Sequence, residues 1–222
     1  MVVCELKILV INPVGTDRWD ETDRKIYTSF ASPTTHIDVV SLRQGPGSIE
    51  TRVAEAEALP GVIERARELH GEYDGLIVNC CLDVGVEVIR SMINTPTLGP
   101  CEASLALASV IGKKIGIVTV SKTALDLFED LVVKYRMEKR VVSIRGIDIT
   151  VPEIEVDRKK TIQMLMEEIE WAVRDGVDVV VLGCTGLAGF AEELQKYFTI
   201  PILDPTACAV KVLEDIIEVR RK

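Results

Sequence analysis

The sequence predicts an α/β protein built from two pseudo-symmetric, doubly wound parallel-sheet subdomains, Rossmann-like, with the active site in the cleft between them. Short β-branched runs alternate with longer helical patterns, the signature of βαβ units and a parallel sheet. The segment Asp74-Gly-Leu-Ile-Val-Asn-Cys80 returns as Asp178-Val-Val-Val-Leu-Gly-Cys184. Its surroundings return too: Pro96-Thr-Leu-Gly-Pro100 answers Pro201-Ile-Leu-Asp-Pro205, 16 and 17 residues past the two cysteines, and Lys7-Ile-Leu-Val-Ile11 answers Lys114-Ile-Gly-Ile-Val118, 73 and 70 residues before them. A period of about half the chain means two similar units, each offering one thiol from an equivalent place.

Strands are expected at 6–11, 37–41, 75–79 and 96–98, and again at 114–119, 140–145, 177–182 and 201–203, so each half reads β-α-β-α-β-α-β. After Cys80, Asp83 is the expected N-cap and Glu87 falls in the first turn, which starts a helix about three residues past the thiol. Val86 stands where a capping box needs Glu or Gln. Ile162, Leu165, Met166, Ile169, Ala172 and Val173 recur at helical spacing, with Asp157 placed to cap and Gly176 to terminate. The final helix, Pro205 to Arg221, corresponds to the one after Pro100, and such repeat-ending helices cross over to pack on the opposite unit. The first domain is therefore expected to be 1–97 plus 205–222, and the second 98–204.

With 222 residues and 47% hydrophobic content, each unit has enough apolar mass for its own core without staples. No apolar run reaches the roughly 18 to 20 residues of a membrane span, and the first ten residues carry charges, which points to a cytoplasmic protein. Six cysteines (Cys4, Cys80, Cys81, Cys101, Cys184, Cys208) in such a chain argue against a disulfide framework. There is no Cys-x-x-Cys, and His36 and His70 lie apart from each other and from any cysteine pair, so no metal site is expected. A net charge of -9 repels phosphate backbones and anionic lipid, excluding nucleic acid and membrane as partners and leaving a small molecule.

In open parallel sheets, ligands bind beyond the carboxyl ends of the strands, which is where Cys80 and Cys184 sit. A thiol at a strand end just before a helix meets the positive end of that helix, which favours thiolate. The turn Thr185-Gly-Leu-Ala-Gly189 is expected to leave backbone amides available to an anion. The Cys81 thiol is expected to be packing, with only its backbone amide in reach of a ligand, and Cys4, Cys101 and Cys208 have no matched partner and read as structural. Two opposed acid/base groups of similar strength suit removal of a proton from one face of a carbon and delivery to the other, that is, racemisation or epimerisation. With a reference thiol pKa of about 8.5, modest tuning lets one cysteine be thiolate and its partner thiol near neutrality.

Ile11-Asn-Pro13, Gly45-Pro-Gly-Ser-Ile-Glu-Thr51, Cys80-Cys-Leu-Asp-Val-Gly85, Gly99-Pro-Cys-Glu-Ala-Ser104 and Gly183-Cys-Thr-Gly-Leu187, in that order and across nearly the whole chain, resemble the hydantoin racemase branch of the aspartate/glutamate racemase superfamily. The resemblance implies a cofactor-independent isomerase, two α/β domains with one catalytic cysteine from each, Cys80 and Cys184, and a homo-oligomer. Three positions depart from the pattern: Val14 and Gly15 follow Ile-Asn-Pro where Asn-Thr is usual, and Val84 stands where proline is usual.

Further substrate contacts are expected from position. Asn12 ends the first strand and Thr119 its repeat equivalent, Asn79 precedes the first thiol, and Thr185 and Gly186 follow the second. Ser48 and Ile49 lie in the Gly45–Thr51 segment, whose flexible composition suits a lid or an ordinary surface loop. Glu50 and Glu102 read as solvated or capping. The substrate is expected to be a hydantoin or related amino-acid derivative. The rival chemistries are an aspartate/glutamate-type racemase, a maleate-type isomerase and an arylmalonate-type decarboxylase. The non-catalytic rival is a two-lobed small-molecule binding protein with structural thiols.

Overall fold

The computed structural model describes residues 5–221. The first half runs β1 (Leu6–Asn12), α1 (Asp20–Phe30), β2 (Thr35–Ser41), α2 (Arg52–Leu69), β3 (Gly75–Val78), α3 (Val86–Met92), β4 (Thr97–Leu98) and α4 (Pro100–Ile111). The second runs β5 (Ile115–Thr119), α5 (Leu125–Lys134), β6 (Val141–Gly146), α6 (Arg158–Arg174), β7 (Val179–Leu182), α7 (Phe190–Leu194), β8 (Ile202–Leu203) and α8 (Pro205–Arg221). All strand pairs are parallel, in two four-stranded sheets ordered β2-β1-β3-β4 and β6-β5-β7-β8. The central strands β3, β5 and β7 are buried along their whole length, as strands covered on both faces must be.

The duplicated aspartate is explained at the other end of these strands. Asp74 accepts from Lys7 N (2.9 Å) and Asp178 from Lys113 N and Lys114 N (both 2.9 Å at the shorter contact). Each aspartate also donates its own main-chain N–H back, Asp74 to Lys7 O (2.8 Å) and Asp178 to Lys114 O (2.9 Å), so entry into β3 and β7 is tied to β1 and β5. The proline segments match as well: Leu76 N bonds Pro96 O and Val180 N bonds Pro201 O.

α6 forms as its periodicity requires, with Asp157 accepting from Lys160 N (3.0 Å) and Gly176 ending the helix at φ 87. Ile162, Leu165, Ile169 and Ala172 enter the core of the second unit, whereas Val173 lies at the rim, 40% exposed. Contacts group the chain into one unit that runs to Ile49, resumes over Val53–Ala103 and again from Thr206, and a second comprising Glu50–Arg52 and Ser104–Pro205. Among the described residues, no helix is long and apolar enough to cross a membrane.

Within the first unit α8 is held by a buried carboxylate. Glu214, 4% exposed, accepts from Thr35 Oγ1 (2.6 Å), Ser32 N (2.7 Å) and Ser32 Oγ (2.9 Å), and pairs with Lys211 (2.9 Å). Leu213 and Ile217 on the same helix fill the space that Gly75 leaves by having no side chain. Burial alone would push the Glu214 carboxyl up, but the hydrogen bonds from Thr35 and Ser32 and the Lys211 charge outweigh it and hold the group below 4.5. Its stabilisation is therefore present above the unfolded-state value and lost as pH falls through the lowered folded value. Glu214→Ala should cost about 3 kcal/mol of unfolding free energy at neutral pH by urea titration, with the gap to wild type closing as the pH is taken below 4.5.

Candidate active site

In each unit the chain winds from the first central strand to one side and then returns to the other, so the strand order reverses between β1 and β3 and between β5 and β7. The loops leaving those two strands diverge, and the crevice at their carboxyl ends is where such sheets bind ligands. Cys80 lies two residues past β3 and Cys184 two past β7. Both thiols are half-buried, whereas the other described cysteines, Cys81, Cys101 and Cys208, are buried. Cys4 lies outside the described residues.

The segments that follow the thiols share a backbone device. Gly85 and Gly189 each stand five residues past their cysteine with φ of 73 and 82, and each opens the next helix, α3 or α7. Only glycine adopts this left-handed conformation at no cost, so the repeat extends further than the matching letters suggest. It also corrects the expected helix start: α3 begins at Val86, six residues past Cys80, and Gly85 takes the N-cap position expected of Asp83.

Asp83 caps a different helix. Its carboxylate accepts from Cys101 N (3.0 Å) and Glu102 N (2.8 Å), the first turn of α4. A Cβ on Gly99 would fall 2.0 Å from Asp83 Oδ1, so that carboxylate occupies the space a residue 99 side chain would take. The second repeat reverses the arrangement: Asp204 is the counterpart of Gly99, and its Oδ2 accepts from Gly189 N (2.6 Å). In both units a carboxylate bridges the loop after the thiol and the residues that open α4 or α8, supplied from opposite sides.

Local amides complete the picture. Leu82 N donates to Cys80 Sγ (3.4 Å), a contact that favours the thiolate. The anion-cradling turn expected after Cys184 is largely consumed: Leu187 N bonds Cys184 O, Ala188 N bonds Thr185 O, and Gly189 N bonds Asp204. The amides of Thr185 and Gly186 begin this 3-10 turn, where a helix has no internal acceptor to offer. Thr185 is half-buried and Gly186 exposed, and a Cβ on Gly186 would sit 3.4 Å from Cys184 Sγ.

The residue before each thiol is gripped by the end of the neighbouring strand. In the second unit Thr119 Oγ1 donates to Gly183 O (3.0 Å), and a Cβ on Gly183 would meet Thr119 Cβ at 2.8 Å. In the first unit Asn79 Nδ2 donates to Asn12 Oδ1 (2.6 Å) and Asp23 Oδ2 (3.2 Å), and Tyr27 Oη donates to Asn79 Oδ1 (2.8 Å). Asn12 Nδ2 donates to Asp20 Oδ1 (2.8 Å) and Asp23 Oδ2 (2.9 Å). Asn12 and Thr119 are both 2% exposed, with their polar atoms turned towards the residue before the thiol. Burial pushes the Asp23 carboxyl up to about 6, opposed by the Asn12 hydrogen bond and reinforced by the nearby Asp20 charge.

Sequence reading missed Asp20, Asp23 and Tyr27. The available signal was their i, i+3, i+7 spacing, which puts two acids on the face of α1 that carries its buried tyrosine. The departures have packing reasons: Val14 and Val84 are buried, and a Cβ on Gly15 would lie 2.6 Å from Gly45 N and O. Ser48 and Ile49 are half-buried in the loop before α2. Glu50 is engaged rather than solvated, accepting from Val151 N (3.3 Å), and Glu102 pairs with Arg90 (2.6 Å). Cys81 is buried, which leaves its backbone as the part able to meet a ligand. Among the described residues, no group of three or more His, Cys, Asp or Glu side chains is placed to hold a metal ion.

Residues 8–213 match the family model described as Asp/Glu/Hydantoin racemase. The chain is 35% identical over 219 residues to a hydantoin racemase of Pseudomonas sp. (strain NS671), covering 98% of this chain and 88% of that protein. Its fold superposes on an allantoin racemase from Klebsiella pneumoniae with a TM-score of 0.91 at 29% identity, covering 97% of this chain and 89% of that one. An allantoin racemase from Pseudomonas fluorescens gives 0.92 at 26% identity over 97% and 92%.

The exchanged carboxylates generate a test of the repeat. Asp83→Gly, which suits the φ of 50 at this position, should lower stability by about 1 to 2 kcal/mol through loss of the α4 cap, and Gly99→Asp added to it should recover part of that loss, because removing the residue 83 Cβ, 2.7 Å from a Cβ at 99, makes room for the arrangement of Asp204. Urea denaturation of the single and double variants reads this directly, and no recovery in the double variant would refute the equivalence.

Proposed function

We propose, from the premise that this chain belongs to the Asp/Glu/Hydantoin racemase family, that it inverts the C5 stereocentre of a 5-substituted hydantoin, with Cys80 and Cys184 as opposed acid and base and without a cofactor. Family membership supports racemase, that is isomerase, activity. The observation that carries the finer reading is the pair of half-buried thiols at matched carboxyl-end positions of β3 and β7, each followed at the fifth residue by a left-handed glycine. The substrate class is supported by the names of the relatives: hydantoin racemase for the curated one and allantoin racemase for the solved structures. Allantoin is itself a hydantoin, carrying a ureido group at C5.

In this mechanism the thiolate of one cysteine takes the C5 proton, and the electron pair of that C–H bond moves into the neighbouring carbonyl as an enolate. The thiol of the other cysteine gives its proton to the opposite face, forming the new C5–H bond and leaving a thiolate. The two sulfurs exchange protonation states at each turnover. The C5 proton lies beside a neutral carbonyl, so a thiolate approaches it with less repulsion than it would meet beside the carboxylate of a free amino acid. The Leu82 amide stabilises negative charge on Cys80, and the first amides of the Thr185 turn are available to the developing enolate.

Proton exchange in deuterated water separates this reading from its rivals. Wild type should exchange and invert both enantiomers of 5-substituted hydantoins, with 5-ureidohydantoin and alkyl-substituted rings compared side by side. Cys80→Ser and Cys184→Ser should each lose inversion by at least about 100-fold, while each retains exchange of one enantiomer. Full inversion by either variant would refute the two-thiol mechanism. Exchange with aspartate or glutamate but no hydantoin would move the substrate to free amino acids.

A further inference from the structure

We propose that Asp23 is a positioning residue for Cys80: its carboxylate holds the Asn12 and Asn79 side chains that set the approach to the thiol, and protonating it loosens that hold. The functional part of this rests on Cys80 being an acid/base group. The geometry stands by itself. Asn79 immediately precedes Cys80, and its main-chain N–H is bonded to Ile11 O (2.9 Å). Its side-chain oxygen accepts from Tyr27, and its nitrogen donates to Asn12 and Asp23, so its orientation is fixed at both ends of the amide.

Asp23 is what makes that orientation unique. Both N–H bonds of Asn12 run to carboxylates, one to Asp20 and one to Asp23, which turns its oxygen towards Asn79. Asp23 Oδ2 accepts from both asparagines at once (2.9 and 3.2 Å). An ionised carboxylate accepts both bonds with its charge behind them, whereas a protonated carboxyl accepts them as a neutral group, at roughly half the strength. Both bonds to Asp23 Oδ2 weaken when its charge is removed, and the side chain leading into Cys80 is held less firmly.

The surroundings put this event within reach of solution pH. On its own helix, Asp23 faces Asp20, whose charge disfavours a second one, and the Tyr27 phenol that bonds Asn79. From β1 and β3 it meets the neutral amides of Asn12 and Asn79. From β2 the neutral Ser41 hydroxyl is bonded to Asp20 (2.6 Å), and from α2 Arg65 is bonded to Ser41 O (3.0 Å). With burial the largest cause, the carboxyl stands at about 6 rather than 3.8. In the second unit Gly183 replaces Asn79, its carbonyl is held by the Thr119 hydroxyl, and the Phe128 ring lies where a residue 183 side chain would begin. The device is one-sided, and that asymmetry makes it testable.

Site-resolved alkylation by iodoacetamide, followed by peptide mass spectrometry across about pH 5 to 8, reads each thiol directly. In wild type, Cys80 should show an inflection near pH 6 besides its own thiolate ionisation, and Cys184 should not. Asp23→Asn should remove that inflection and alter Cys80 alkylation at pH 7 by about 3-fold or more, with Cys184 within about 2-fold of wild type. In the Cys184→Ser background, where Cys80 alone drives C5 exchange, Asp23→Asn should slow exchange about 10-fold, and in the Cys80→Ser background it should leave exchange within about 2-fold. Cys80 alkylation unchanged in a folded Asp23→Asn variant, or equal shifts at both thiols, would overturn the proposal. If Asp23→Asn fails to fold, the wild-type profile decides, and the lack of an inflection near pH 6 at Cys80 overturns it. Shifted Cys80 alkylation with no C5 exchange in any background would leave the positioning role standing and refute the racemase reading.

Discussion

The last main-chain hydrogen bonds between the central strands, Asn79 N to Ile11 O (2.9 Å) and Gly183 N to Val118 O (2.8 Å), are the constraint from which the placement of both thiols follows. Up to that bond the chain is a parallel ladder whose positions are set by its neighbours. Past it the strand order reverses and the chain turns, with Cys80 N bonding back to Val78 O (2.8 Å) and Cys184 O accepting from Leu187 N (3.0 Å). Each cysteine is the first residue beyond the bond. A reactive group there inherits the precision of the sheet while its side chain reaches the open end of it, which suits chemistry that tolerates little misplacement.

The two units keep this frame and change the side chains that secure it. In one, Asn12 reaches Asn79 through a side-chain amide; in the other, Thr119 reaches the carbonyl of a glycine whose missing Cβ makes room for it. The carboxylate between the post-thiol loop and the start of α4 or α8 comes from Asp83 opposite Gly99 in the first unit, and from Asp204 opposite Gly189 in the second. What the duplication conserves is therefore an occupied volume and a satisfied set of amides, with the identity and origin of the atoms free to change. Buried main-chain donors must be paired, but the physics does not say from which side.

The parts legible in the sequence are those where a local pattern has a single structural outcome. The repeated run from Asp74 to Cys80 and its copy from Asp178 to Cys184 read as buried strands ending on a thiol, and the Asp157 to Gly176 interval reads as one capped helix, because backbone hydrogen bonding makes each pattern self-contained. Asp83 shows where this stops. A capping rule assigns it to the helix that follows in sequence, whereas its carboxylate satisfies amides 18 and 19 residues away. The Thr185 turn misleads in the same manner, since Asp204, 15 residues on, takes an amide that composition alone would leave available. Asp23 lies 56 residues before Asn79, and only the strand order brings α1 over the end of β3.

Two carboxylates of the first unit, Glu214 buried and Asp23 half-buried, are shifted in opposite directions by their surroundings. Glu214 is surrounded by donors, three from Ser32 and Thr35 and one from Lys211, and the sum lowers its pKa despite burial. Ionised Glu214 adds stability at neutral pH and loses that contribution as pH falls through its folded value. Asp23 has two amide donors and a neighbouring Asp20, too little to offset burial, so its pKa rises from 3.8 to about 6. The sign reverses: its contribution is fully present below 3.8 and is lost as pH rises through about 6, so ionised Asp23 weakens the fold at neutral pH, by at most about 3 kcal/mol for a shift of this size. An asparagine at that place on α1 would avoid the cost of the charge while its side-chain oxygen could still accept from Asn12 and Asn79. A destabilising charge kept at the carboxyl end of β3, beside the thiol proposed as an acid/base group, is the pattern expected where stability yields to function, and in this chain its hydrogen-bond partner Asn79 directly precedes Cys80.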